Sequence, residues 1–236
     1  MNALRSVLTA FLLVAAGTQV FAHALWIETS AQGKSGKEHA LKVFYGEPGA
    51  GSPDKIADWW SDVGSFSLWL IKPDGSREQL EVSPEGDHFS AVFTPETEGV
   101  YLLSVAHAVK EIADGTQYEF NASARVSVGK AAPGSGNPES ANVLDLCYDL
   151  AVQPKVNRSV RISGLYQQQP AAEGYITVFS PAGWSKQLKA DASGSVTFVP
   201  EWPGSYIIET GKGEKVSGQP HENLYRIAAI QFEVAK

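Results

Sequence analysis

Five histidines carry most of the chemistry this sequence offers, and His23 stands apart from the others. It follows Val20-Phe21-Ala22, which has small or modest side chains at the positions a signal peptidase reads. Upstream lie one early positive charge, Arg5, and an apolar run from Val7 to Ala16, too short to span a bilayer. Residues 1–22 therefore read as a cleaved signal peptide, and cleavage after Ala22 makes His23 the first residue of a periplasmic or secreted chain. An N-terminal histidine offers its α-amine and its imidazole Nδ1 to one metal ion. Both groups shed protons near neutral pH, so both are available as ligands. A third nitrogen from a distant histidine completes a T-shaped histidine brace. The competing reading is a surface ring where a signal happens to end.

The other histidines, His39, His88, His107 and His221, show no H-x-x-x-H spacing, so any site must be assembled from distant segments. His39 lies in a charged turn and His88 follows Gly86-Asp87, and both read as solvated. His221 follows Pro220 in a loop over 211–223, which is long for a β-sandwich; Glu209, Glu214 and Glu222 nearby offer oxygen. No G-x-S-x-G elbow and no H-E-x-x-H motif occur. Trp26, Trp59, Trp60 and Trp202 either line a sugar or peptide groove or belong to the core.

The elements that must position these residues are strands. Segments such as 24–28, 40–45, 65–71, 100–107, 118–128, 150–152, 156–165, 205–210 and 225–234 are short, rich in β-formers and punctuated by Gly and Pro. Residues 54–62 suit one or two helical turns. No long 3.6-residue period occurs, so the fold is read as all-β: two immunoglobulin-like β-sandwich domains after the signal peptide. The N-terminal domain spans 23–129, a small-residue linker 130–142, and the C-terminal domain 143–236. The halves echo each other: Phe93-Thr94-Pro95-Glu96-Thr97-Glu98-Gly99-Val100-Tyr101 aligns with Phe198-Val199-Pro200-Glu201-Trp202-Pro203-Gly204-Ser205-Tyr206. In each the Pro and Gly turn the chain, and the Tyr begins a core strand from which it can hydrogen-bond back across the corner. A period of two puts His107 on the face of Tyr101, Leu103 and Val105, pointing inward at a strand end.

Composition narrows the partners. The 236-residue chain carries a formal charge of −7, which becomes −8 without Arg5. An acidic balance lacks the basic stripe of a nucleic-acid binder, and no second long apolar segment suggests stable membrane insertion of the mature chain. Cys147 is the only cysteine, so no intrachain disulfide forms.

The His-Ala-x-x-Trp start, the Gly-x-Tyr strand, the stretches ASGSVTF and PGSYIIET, and the ending YRIAAIQFEV together resemble the bacterial DUF4198 family. Its members include NikM-like and NikK-like periplasmic components of nickel and cobalt uptake. The resemblance implies a metal-binding protein, not an enzyme, that hands nickel or cobalt to a membrane metal transporter, with the mature N-terminal histidine as a ligand. Family members often begin His-Ala-His, whereas this chain reads His23-Ala24-Leu25. The site must then use the brace form, with His107 and after it His221 completing the set. Two alternatives stay open: a copper-binding histidine-brace chaperone or oxidase, and a metal-free carbohydrate-binding or adhesive module.

Overall fold

The computed structural model describes residues 23–129 and 139–236, so the expected signal peptide and most of the expected linker lie outside the described residues. The chain is all-β. The first half forms β1 (Ala24–Thr29), β2 (Gln32–Gly33), β3 (His39–Gly46), β4 (Leu68–Ile71), β5 (Arg77–Leu80), β6 (Ser83–Glu85), β7 (His88–Phe93), β8 (Gly99–Ala113) and β9 (Thr116–Val128). The second half forms β10 (Leu144–Tyr148), β11 (Val160–Tyr166), β12 (Gln169–Pro170), β13 (Tyr175–Phe179), β14 (Ser185–Lys189), β15 (Ser195–Phe198), β16 (Gly204–Lys215) and β17 (Asn223–Val234). Of the helical potential of 54–62 only one 3-10 turn forms, Ile56–Asp58, and a second, Val63–Ser65, follows the stretch. Residues 150–152, expected as a strand, form a turn instead, closed by Asp149 on the backbone N–H groups of Ala151 and Val152.

Three sheets stack around one shared layer. The middle sheet runs β14-β13-β16-β17-β9-β8-β4-β5, with β2 on the β9 edge beyond the end of β17. All its ladders are antiparallel except β17 and β2 on β9. The sheet β1-β3-β7-β6 covers one face, and β10-β11-β12 with β15 covers the other. Strand alternation decides which core each residue enters. On β17, Ile227 and Ala229 pack into the first core while Ile230, Phe232 and Val234 pack into the second. On β9, Phe120, Ala122, Ala124, Val126 and Val128 join the first core.

The opposite face of β9 is polar yet buried: Asn121, Ser123, Arg125 and Ser127 are all shielded from water. Its partners come from the second half. Ser123 Oγ donates to Asp145 Oδ1 at 2.6 Å, and Arg125 reaches Asp145 Oδ2 at 2.9 Å and the Leu146 carbonyl at 3.1 Å. Asn142, inside the expected linker, is itself buried; it accepts from Ser104 Oγ and donates to the Val105 carbonyl. These bonds satisfy groups whose unpaired burial is costly.

The echoed corners form as the sequence implies. Tyr101 Oη donates to the Thr97 carbonyl and accepts from its N–H, each at 3.1 Å. Tyr206 Oη does the same with Trp202, at 3.1 and 3.4 Å. Both tyrosines are wholly buried, so each polar tip is satisfied inside a core.

Candidate functional site

His23 immediately precedes β1, whose first residue, Ala24, pairs with Gly46 at the end of β3. The chain leaves Gly46, loops outward, and returns at Asp54, whose N–H donates to the Tyr45 carbonyl at 2.9 Å. Gly46 makes that return possible: its φ is +152°, and a Cβ there would sit 3.0 Å from the Asp54 nitrogen. The result places Asp54 Oδ2 3.1 Å from His23 Nε2, with the imidazole half-exposed. The ring also leans on Tyr45, with centroids 5.3 Å apart. Burial, and after it the Asp54 charge, hold the Tyr45 hydroxyl far above its usual ionisation range, so Tyr45 is a neutral wall.

This arrangement orients the imidazole. A carboxylate beside one ring nitrogen favours the proton there and leaves the lone pair on the other. With Asp54 at Nε2, the free lone pair is on Nδ1, the nitrogen that can chelate together with the α-amine of the same residue.

His107 lies where the strand period puts it. It pairs with Phe120 on the face of Tyr101, Leu103 and Val105, and its side chain is only 14% exposed. Just beyond it the β8–β9 ladder shifts register between Ala108 and Ile112. The shift frees backbone N–H groups that the preceding turn captures: Lys110 N donates to Asp62 Oδ1 at 2.9 Å, and Glu111 N to Ser61 Oγ at 3.3 Å. Asp62 faces His107 Nε2 at 3.5 Å, and that nitrogen is enclosed without a hydrogen bond. Partial burial pushes the Asp62 carboxyl up, but the Lys110 N–H and ammonium and the His107 charge outweigh it, and it falls to about 2.

The link from His23 to His107 runs through rings, not through a shared ligand position. His23 leans on Tyr45 at a tilt, Tyr45 meets Phe120 edge-on at 5.3 Å, and Phe120 stands opposite His107. His221 is buried elsewhere. The expected loop over 211–223 shrinks to 216–222 because β16 continues to Lys215. Glu222 N donates to the Gly115 carbonyl at the β8–β9 hairpin tip. Gly115 is five residues from Phe120, the ladder partner of His107, about 17 Å along the strand. Among the described residues no three His, Cys, Asp or Glu side chains form a group able to hold a metal ion. A brace draws two of its nitrogens from one residue, one of them from the main chain.

Two histidines read as solvated are buried. His39 meets Thr29 Oγ1 at 2.8 Å, and burial holds its imidazole below the usual value. His88 bonds Asp87 at 2.7 Å and packs on Phe44. His39 opens β3 one residue before the expected 40–45 strand, and His88 is the first residue of β7. Trp26 and Trp59 belong to the first core, which removes them from any groove, while Trp202 remains 40% exposed.

Sequence reasoning did not single out Asp54 or the environment of Glu209. The signal for Asp54 was its place after a Gly- and Pro-rich loop that must turn back onto the strand it left. Glu209, in the expected 205–210 strand and offered as a possible oxygen donor, lies within β16 opposite Ala229. Its Oε2 is enclosed with no hydrogen-bond partner, and burial raises its carboxyl to about 8. Compared with known proteins, the chain matches no family model, and no curated protein aligns with it significantly.

Proposed function

We propose that the protein is an exported, non-enzymatic binder of a divalent transition metal, nickel or cobalt, which it holds at its processed N-terminus for transfer to a membrane metal transporter. The observation that carries this reading is Asp54 at 3.1 Å from His23 Nε2, because a carboxylate at that nitrogen favours the tautomer whose Nδ1 lone pair is free. An amine and an imidazole suit nickel, copper or zinc. The scarcity of sulfur favours a divalent ion over Cu(I): the chain has one Met, at position 1, and one Cys, Cys147, whose thiol is pushed up by burial.

The test is calorimetric titration of Ni(II), Co(II) and Cu(II) into two forms of the protein. One starts at His23, confirmed by intact mass, and the other carries a single Gly ahead of it. The added residue keeps the imidazole but removes its partnership with a free amine on the same residue. The capped form should bind at least about a hundredfold more weakly, since one of two chelating nitrogens is lost. Equal affinity in both forms would sink the N-terminal site. Asp54→Asn probes the orienting contact separately. Loss of such an outer partner costs about 10- to 100-fold in metal affinity, and an unchanged isotherm would show that Asp54 does not set the tautomer.

A further inference from the structure

The middle sheet forks. β17 and β9 pair only as far as Ala229 and Ala122, and beyond that point each takes a different neighbour. On β9, Ser127 and Val128 pair with Gln32 and Gly33 of β2. On the other arm, Ala235, just past β17, forms a parallel bridge with Lys155. Its N–H donates to the Pro154 carbonyl and its carbonyl accepts from Val156 N, each at 2.9 Å. Paired strands lie about 4.8 Å apart, so the arms start one spacing apart and then separate far enough for each to gain its own neighbour. Between them lies a cleft of about 720 Å³, in the range of about 300–1,000 Å³ typical of ligand sites. Arg125 and Gln231 line its two arms, Gln32 and Pro154 its far end, and Leu41 and Tyr148 reach it from the two covering sheets.

Both arms turn main-chain groups into the cleft. Ser127 N donates to the Ala31 carbonyl, on the fork side of β9. Peptide groups alternate in direction along a strand, so the N–H and C=O of Arg125, two residues earlier, face the same side. Among the described residues no strand pairs with β9 on that side between Ala122 and Ser127. Ala235 fixes the direction on β17 in the same way, so Gln231 and Glu233 turn their N–H and C=O toward the cleft. The outer ladders, β9 with β8 and β17 with β16, run in register through these stretches, which keeps the alternation intact. Arg125 adds a side chain only 7% exposed whose Nε has no hydrogen-bond partner. Main-chain groups in such a place call for partners. The charge is also uneven. Glu28, Lys42 and Glu233 line the cleft, and Asp145 already offsets Arg125, so one carboxylate is in excess. Burial, and after it the charge of Glu28, raise the Glu233 carboxyl.

We propose that the fork binds an extended peptide segment carrying basic side chains, which enters as a short strand between β9 and β17 and bonds to both arms. The ligand class follows from the arms. A polypeptide in extended form presents N–H and C=O alternately to its two sides, which matches the free groups of Arg125 on one arm and of Gln231 and Glu233 on the other. An ordinary sheet edge offers such groups on one side only. The excess carboxylate selects basic over acidic segments. The site is separate from the N-terminal metal reading and stands or falls without it.

The test uses the chain beginning at His23 and the probe acetyl-Val-Lys-Val-Lys-Val-amide. One control is the same peptide N-methylated at alternate residues, which blocks one hydrogen-bonding edge, and a second has Glu in place of Lys. Amide hydrogen exchange read by NMR should slow at least about tenfold at Arg125, Gln231 and Glu233 when the probe binds. Ala124 and Phe232, whose N–H groups face the outer ladders, should not change. Each control should bind at least about tenfold more weakly, as expected for the loss of one or two hydrogen bonds or of charge pairing. Ala151→Trp, on the exposed turn that lines the cleft, should fill it and abolish the slowing while the thermal transition stays in place. No slowing at the three amides with millimolar probe, equal binding by either control, or an unaltered response in Ala151→Trp would each overturn the proposal. Slowing of the same amides on raising protein concentration without probe would also overturn it, by giving the fork to a second copy of the chain.

Discussion

Asp145→Ala is expected to lower the unfolding free energy by about 3–5 kcal/mol, the usual cost of stranding one member of a buried ion pair. Asp145 and Arg125 have side-chain exposures of only 2% and 7%, and they meet at 2.9 Å. Without the carboxylate, the guanidinium keeps one carbonyl acceptor, Leu146, and Ser123 Oγ loses its 2.6 Å bond. Arg125 Nε already lacks a partner, so the site has no spare acceptor to take up the charge. Urea denaturation of wild type and variant measures the difference. The double variant Arg125→Met, Asp145→Leu should recover much of the loss, because apolar replacement of a buried pair is often neutral. A deficit below about 1 kcal/mol in the single variant would mean that water reaches Arg125 and that the pair does not lock β10 onto β9.

Residues 23–129 expressed alone are expected not to fold. Their core is completed by Ile227 and Ala229 of β17, and β17 also pairs with β9 through seven residues, from Thr116 to Ala122. Without the second half, that edge of β9 is bare, and the polar row Asn121, Ser123, Arg125 and Ser127 loses the segment that covers it. The free edge is a template for aggregation. Full-length protein should unfold in one thermal transition, and the fragment should show none in a calorimetric scan. A cooperative transition in the fragment at a similar temperature would show that the two halves are energetically separate.

The strands and corners were legible because they are local. Pro73, Gly75 and Gly183 dictate turns, and the bonds of Tyr101 and Tyr206 reach only four residues back. The inward face of His107 followed from the period of two alone. What could not be read was long-range partnership. Nothing in the composition of β9 announces that its polar row is buried, because the residues that satisfy it come from 142–146. The same holds for His39 and His88, whose polar neighbours suggested solvent while Phe93 and Phe44 covered their rings. The reach of β16 beyond Thr210 was missed because the Gly- and Lys-rich stretch that follows looks like a loop, although it continues the β16–β17 ladder to Lys215. The pairing of His23 with Asp54 joins residues 31 positions apart, and no spacing rule covers that.

The place of β17 also sets the order in which the molecule can form. It is the last strand of the described chain and sits in the interior of the middle sheet, between β16 and β9. The Arg226–Glu119 contact that joins β17 to β9 spans 107 positions. Contacts of such separation reward the chain only after a large loop has closed, which makes folding slow. Neither core is complete until the twelve residues of β17 are in place. A polypeptide still being made therefore cannot close either core until β17 has emerged.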